Sequence, residues 1–257
     1  MGNNSLIIYT PRTGSTILSE LLSYKNNALN LDEVVHDCIR GRFVDKLPTE
    51  ISSLYQKYFN LNNKPPQQEN LNDIKQRHDK VLDFITQVNA NNNITLKYYP
   101  QSCRPAKPII EYALANNFNL FFLYRKDRIQ QIAALINAYE RHQYIIKNKI
   151  KNRNGFVNFD NSLEHTIPYN INNMATALTV LSDSFNTWEC LHARYSKFST
   201  TLCYEESIAI NDFSLAGIST EHVANYSKQS ISVKPTTTHT PIENWDKFDK
   251  LIRQYIL

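Results

Sequence analysis

The chain has 257 residues, 42% of them hydrophobic and 20% charged, with a formal net charge of +4. That length suits one α/β domain, or two small ones, around a sizeable core, and no apolar run approaches the ~18 residues of a membrane-spanning helix. The basic residues are dispersed, so the mild surplus points away from nucleic acid and towards an anionic small molecule. Four cysteines, Cys38, Cys103, Cys190 and Cys203, are widely spaced, with no C-x-x-C pair and no neighbouring His cluster. Disulfide and zinc frameworks are not expected, and free thiols in a reducing cytoplasm are. The start, Met1 to Ser5, has no basic region and runs straight into an apolar segment, so no secretory signal is expected. Leu6 stands where myristoylation asks for serine or threonine.

In chain order, Leu6–Tyr9 is a continuous apolar run, as expected of a strand buried on both faces. Thr10-Pro11-Arg12-Thr13-Gly14-Ser15-Thr16 follows, and then a helical pattern over Ser15–Ser23. A strand, a tight turn and a helix N-terminus in this order aim backbone N–H groups and the positive end of the helix dipole at one spot. Arg12 and the hydroxyls of Thr13, Ser15 and Thr16 add donors there. The turn is a site for an anion, a phosphate above all. It departs from the G-x-x-x-x-G-K-[ST] phosphate loop, having one glycine and no lysine before Ser15. A plain capped helix, with Thr13 or Ser15 as the cap, accounts for the hydroxyls but not for Arg12, whose charge opposes the dipole unless an anion is bound.

Beyond the acidic-to-basic stretch Leu31–Asp37, residues Asn60–Asn70 with Pro65-Pro66 read as a loop, and Leu71–Val88 recovers helical spacing. Ile94–Tyr99 is a strand closed by Pro100, followed by a helix over about Ala106–Asn116. Lys97 stands inside that strand among apolar and aromatic neighbours and requires a partner or an exit to water. The next strand, Leu120–Tyr124, ends in Arg125 where many NTPases hold magnesium on an aspartate. It leads into a helix over Asp127–Tyr139 that Asp127 can cap. From Arg141 to Asn173 the periodicity fades among lysines and asparagines, which suits a solvated basic loop or a lid over an acceptor site. A helix from Met174 to about Tyr195, a strand over Thr200–Tyr204 and a short helix over Glu243–Tyr255 complete the order. The alternation of strands and helices predicts an α/β fold with a central parallel sheet and right-handed crossovers. A single domain over 1–257 is expected, with insertions over about 34–90 and 141–173.

Two of these segments carry a family resemblance. Pro11-Arg12-Thr13-Gly14-Ser15-Thr16 resembles the 5′-phosphosulfate loop of sulfotransferases that use 3′-phosphoadenosine 5′-phosphosulfate (PAPS). Arg125-Lys126-Asp127-Arg128 resembles their 3′-phosphate motif, and Glu205-Glu206 resembles the Tyr-Glu pair ending their last core strand. The bacterial trehalose sulfotransferase branch is the most similar. The resemblance implies a P-loop-like sulfotransferase fold and transfer of a sulfuryl group from PAPS, without a metal, to a hydroxyl of a carbohydrate-like or other small acceptor. The product nucleotide is adenosine 3′,5′-bisphosphate (PAP). It also implies that Arg12, Thr13, Gly14, Ser15 and Thr16 hold the 5′-phosphosulfate, with Gly14 letting the backbone approach it.

Arg125 would take the 3′-phosphate. The family places a serine nine residues further on, where this chain has Ala134, and Gln130, Gln131, Lys126 or Arg128 would substitute. Glu33, nineteen residues after Gly14, matches the spacing of the branch's catalytic glutamate. His36 is an alternative base that would share its face on a helix. Lys97 matches a lysine near the bridging oxygen, so its expected partner is the departing phosphate. Trp245, with Lys234 and His239, resembles the segment that covers the cofactor. Acceptor choice falls to the inserted segments Val34–Asn70 and Arg141–Asn173. The competing functions are an ATP- and magnesium-dependent phosphotransferase and a non-catalytic nucleotide-binding protein on the same fold.

Overall fold

Five short strands align side by side in a computed structural model of the chain, which describes residues 2–34, 47–59, 71–101, 106–136, 171–229 and 250. They are β1 (Ser5–Tyr9), β2 (Leu29–Asp32), β3 (Ile94–Tyr98), β4 (Asn119–Tyr124) and β5 (Ser199–Cys203). The order across the sheet is β2-β3-β1-β4-β5, and every pairing is parallel. Helices α1 (Ser15–Asn26), α2 (Thr49–Phe59), α3 (Leu71–Asn89) and α4 (Ala106–Ala115) follow in turn. Next come α5, described over 128–136, then α6 (Ile171–Tyr195) and α7 (Thr220–Gln229). The protein is therefore α/β, with a central parallel sheet flanked by helices. Among the described residues no helix is long and apolar enough to cross a membrane.

The continuous apolar run of β1 follows from its central place. Leu6 and Ile8 face one core with Phe84 and Ile85 of α3, Ile109 and Ile110 of α4 and Trp188 of α6. Ile7 and Tyr9 face a second core with Leu18, Leu21 and Leu22 of α1. Leu6, Ile7 and Ile8 are fully buried, each contributing about 1.5–3 kcal/mol of transfer free energy. So α1 lies on the face opposite α3, α4 and α6. The winding reverses at β1, because β1 connects outward to β2 at one edge while β3 passes over β1 to β4. Ligands of open α/β sheets bind at such a reversal, beyond the carboxyl ends of the strands.

Several boundaries differ from expectation for local reasons. Helix α1 runs past Ser23 to Asn26, where Asn27 in the left-handed region (φ 47°) returns its N–H to Ser23 and Tyr24; asparagine tolerates that conformation better than most side chains. Strand β5 ends at Cys203, and Tyr204–Ile208 forms one wide helical turn instead of extending the strand. Helix α6 starts at Ile171, inside the segment expected to be a loop. Three elements escape the sequence reading: β2, a four-residue edge strand with two polar positions, and helices α2 and α7. The expected loop at 60–70, residues 141–170, and the tail expectations over 234–249 and 251–255 lie outside the described residues.

Candidate functional site

At the carboxyl end of β1 the chain turns through two left-handed residues, Arg12 (φ 62°) and Gly14 (φ 75°), before α1 begins. A residue with a side chain loses about 1–2 kcal/mol in that region, so Arg12 has to be held there by its surroundings. The Thr13 hydroxyl donates to the Thr10 carbonyl at 2.7 Å. The Gln131 amide, fully buried on α5, donates to the Thr10 hydroxyl at 3.0 Å and to the Pro11 carbonyl. The Arg125 Nη1 reaches the Arg12 carbonyl at 3.5 Å. Helix α5 thus braces the turn from the neighbouring strand.

Gly14 is the residue before α1, and no side chain caps the helix. The expected alternative of a Thr13 or Ser15 cap is not realised, since the Thr13 hydroxyl is committed to Thr10. Among the described residues, no backbone carbonyl pairs with the N–H groups of Thr13, Gly14, Ser15 or Thr16. Four donors and the positive end of a twelve-residue helix therefore face one spot. The need for glycine has a further source. A Cβ at Gly14 would stand 2.7 Å from Ile208 Cγ2 and 3.2 Å from Tyr204 Cε2, so the turn after β5 packs where a side chain would be.

Arg125 follows β4, and its side chain is 15% exposed. Its guanidinium lies 4.6 Å from the centre of the Tyr204 ring, and its Nε is 3.4 Å from Glu205 Oε1. The Glu205 carboxylate also accepts the backbone N–H of Lys126 at 2.9 Å and of Asp127 at 3.1 Å. Burial pushes the Glu205 carboxyl up, and the N–H groups of Lys126 and Asp127 with the Cys203 thiol outweigh it, so its pKa lies below the ordinary glutamate value. Lys126 pairs with Glu206, and Arg128 pairs with Glu189 at 3.1 Å. Asp127 caps α5 as expected, accepting the Gln130 N–H at 2.9 Å. Gln130 is half-buried on the exposed side of that cap, whereas Gln131 reaches the turn.

The third part of the site lies beyond β2 and β3. Lys97 is 2% exposed, and its ammonium sits 2.5 Å from Asp32 Oδ1, 3.4 Å from Glu33 Oε1 and 3.1 Å from the Thr16 hydroxyl. Within the protein its partners are a pair of carboxylates and a loop hydroxyl. Consecutive strand residues point to opposite faces, yet Asp32 and Glu33 both reach this one cation. The Asn30 side-chain carbonyl takes the Asp32 N–H at 3.0 Å, the register shifts between Asn30 and Asp32, and Asp32 is left-handed (φ 48°).

The Tyr9 hydroxyl donates to Glu33. Burial, then the Glu33 charge and that hydrogen bond, hold the Tyr9 phenol well above its ordinary pKa. Beside Thr16 and Asp32 opens a cavity of about 120 Å³, walled also by Asn30, Leu29, Leu47 and Pro48. His36 lies outside the described residues, as does Trp245.

The carboxyl ends of β1 to β4 thereby gather Arg12, Thr13, Gly14, Ser15 and Thr16 with Glu33, Lys97 and Arg125. Three contributors escape the sequence reading as site residues: Tyr9 and Asp32, which contact Glu33 and Lys97, and Glu205, which lies against Arg125. Gln131, named with Gln130 as a candidate for the 3′-phosphate, braces the turn. Asp32 had a signal, since a lysine in an apolar strand needs a carboxylate, but nothing local showed that β2 lies beside β3. No family model matches the chain, and a search of curated proteins finds no match.

Proposed function

We propose that the protein is a sulfotransferase on a P-loop-like sulfotransferase fold, moving a sulfuryl group from PAPS to a hydroxyl of a carbohydrate-like or other small acceptor. One observation carries this reading: an uncapped helix N-terminus beyond β1, with both neighbouring strands contributing a cation, Lys97 from β3 and Arg125 after β4. A magnesium-nucleotide site asks for a carboxylate on one of those strands. An uncapped helix N-terminus and the Arg125 cation beside it suit a nucleotide with phosphate at both 5′ and 3′ positions.

The residues fit that donor. The N–H groups of Thr13 to Thr16 with Arg12 would hold the 5′-phosphosulfate, and Arg125 the 3′-phosphate. Once bound, the donor supplies an activated sulfuryl group. The chain's part is alignment, charge and a proton acceptor. The Glu33 carboxylate accepts the proton of the acceptor hydroxyl as its oxygen bonds to sulfur. The loop donors stabilise the charge that gathers on the phosphate as the sulfur–oxygen bond to it breaks. Lys97 is seated between the Thr16 hydroxyl and the two carboxylates, where it holds Asp32 and Glu33 in place. The cavity lined by Thr16 and Asp32 is where we would seek the acceptor.

Calorimetric titration with PAP, against ATP plus magnesium, tests the reading. A clear preference for the bisphosphate is expected, lost in Arg12→Ala and Arg125→Ala. Binding of ATP alone, or of neither nucleotide, would refute it.

A further inference from the structure

We propose that Glu205 is a positioning residue that sets the Arg125 guanidinium for a second phosphate on the ligand; this rests on the function proposed above. After β5 the chain turns through Tyr204–Ile208, and this one turn touches both halves of the anion site. Tyr204 and Ile208 cover Gly14. Tyr204 also underlies the Arg125 guanidinium, and Glu205 meets its Nε edge. With its flat face on Tyr204 and its Nε edge at Glu205, the guanidinium has its Nη end turned to the loop, where Nη1 reaches the Arg12 carbonyl.

Glu205 is suited to orient this arginine without neutralising it. Both its oxygens already accept backbone N–H groups, Oε2 from Lys126 and Oε1 from Asp127, and the Cys203 thiol adds a third donor to Oε2 at 3.2 Å. Its contact with Nε, at 3.4 Å, is an ion pair without a hydrogen bond, and the buried Nε has no hydrogen-bond partner among the described residues. Two carboxylates, Asp127 and Glu205, already take the N–H groups that open α5. That helix end is taken up by carboxylates, and the Nη end of Arg125 is the part of this cluster that can meet a phosphate.

The sign of one substitution separates this role from a mere nearby charge. Removing a carboxylate next to an anion site strengthens anion binding if the charge is all that matters. Glu205→Gln instead frees the guanidinium from its station. The expected result is about a tenfold loss of affinity for PAP, with adenosine 5′-monophosphate unchanged within about twofold.

Glu205→Asp, which keeps the charge but draws the carboxylate back, should give the same split at smaller size. It also serves if Glu205→Gln fails to fold. Equal losses for both nucleotides would show a purely structural role, and an unchanged or stronger preference for the bisphosphate would likewise overturn the proposal. A wild-type protein without that preference would instead refute the sulfotransferase reading, and this inference with it.

Discussion

Replacing Gly14 with alanine puts the packing account of the turn at risk most directly. Two costs add. The backbone there has φ 75°, and a side chain in the left-handed region loses about 1–2 kcal/mol. The new methyl would also lie 2.7 Å from Ile208 Cγ2. That carbon sits on a β-branched, fully buried side chain, so it cannot swing aside as a lysine tip would. Overpacking of this kind costs about 1–3 kcal/mol. The lower entropy of the unfolded alanine chain returns only about 0.4–1 kcal/mol.

The net loss is then about 1–4.6 kcal/mol, read as a shift of the urea midpoint at constant m-value. In an Ile208→Ala background the contact at 2.7 Å is gone and only the looser ones with Tyr204 remain, so Gly14→Ala should cost about 1–2 kcal/mol less than in the wild-type background. A loss under about 1 kcal/mol in the wild-type background, or the same loss in both backgrounds, would refute the reasoning.

Lys97→Met strands two carboxylates against each other and should destabilise by about 3 kcal/mol in urea titration; Lys97→Met with Asp32→Asn should recover part of that loss, and full additivity would contradict the described network. Gln131→Leu removes both donors that tie down Thr10 and Pro11, with an expected loss of about 1–3 kcal/mol and faster hydrogen exchange in the turn. The lowered pKa of Glu205 fixes a sign: its contribution to stability is complete above the unfolded value of about 4.3 and is lost as the pH falls through the folded value. Glu205→Gln should therefore flatten the acid limb of stability against pH, and an unaltered limb would count against the capping role.

The β1–turn–α1 unit was legible because everything that shapes it is local: an apolar run buried on both faces, one glycine, and a helix pattern starting at Ser15. Arg125 and Lys97 were legible for the related reason that a cation closing or interrupting an apolar strand stands out. What holds those residues was not. Asp32 belongs to a short polar strand at the edge of the sheet, and its partnership with Lys97 appears only when β2 pairs with β3. Glu205 could be matched to a motif, but not to Arg125, because their meeting depends on β5 lying beside β4. Gly14 was read through what the backbone might approach, whereas the nearest atoms belong to Ile208 and Tyr204.

The turn after β1 is shaped by residues that arrive much later in the chain. Its contacts with Arg125 and Gln131 span 113 and 121 residues, and the side chains over Gly14 come later still. At ordinary rates of synthesis, the stretch up to Ile208 takes on the order of 10 s to emerge. The braces from Arg125 and Gln131 can form once those residues have emerged, but the cover over Gly14 cannot, so a nascent chain stalled before Ile208 holds the loop's sequence without its full packing. On the function proposed above, nucleotide added during translation should therefore be bound only after β5 and its following turn have left the ribosome.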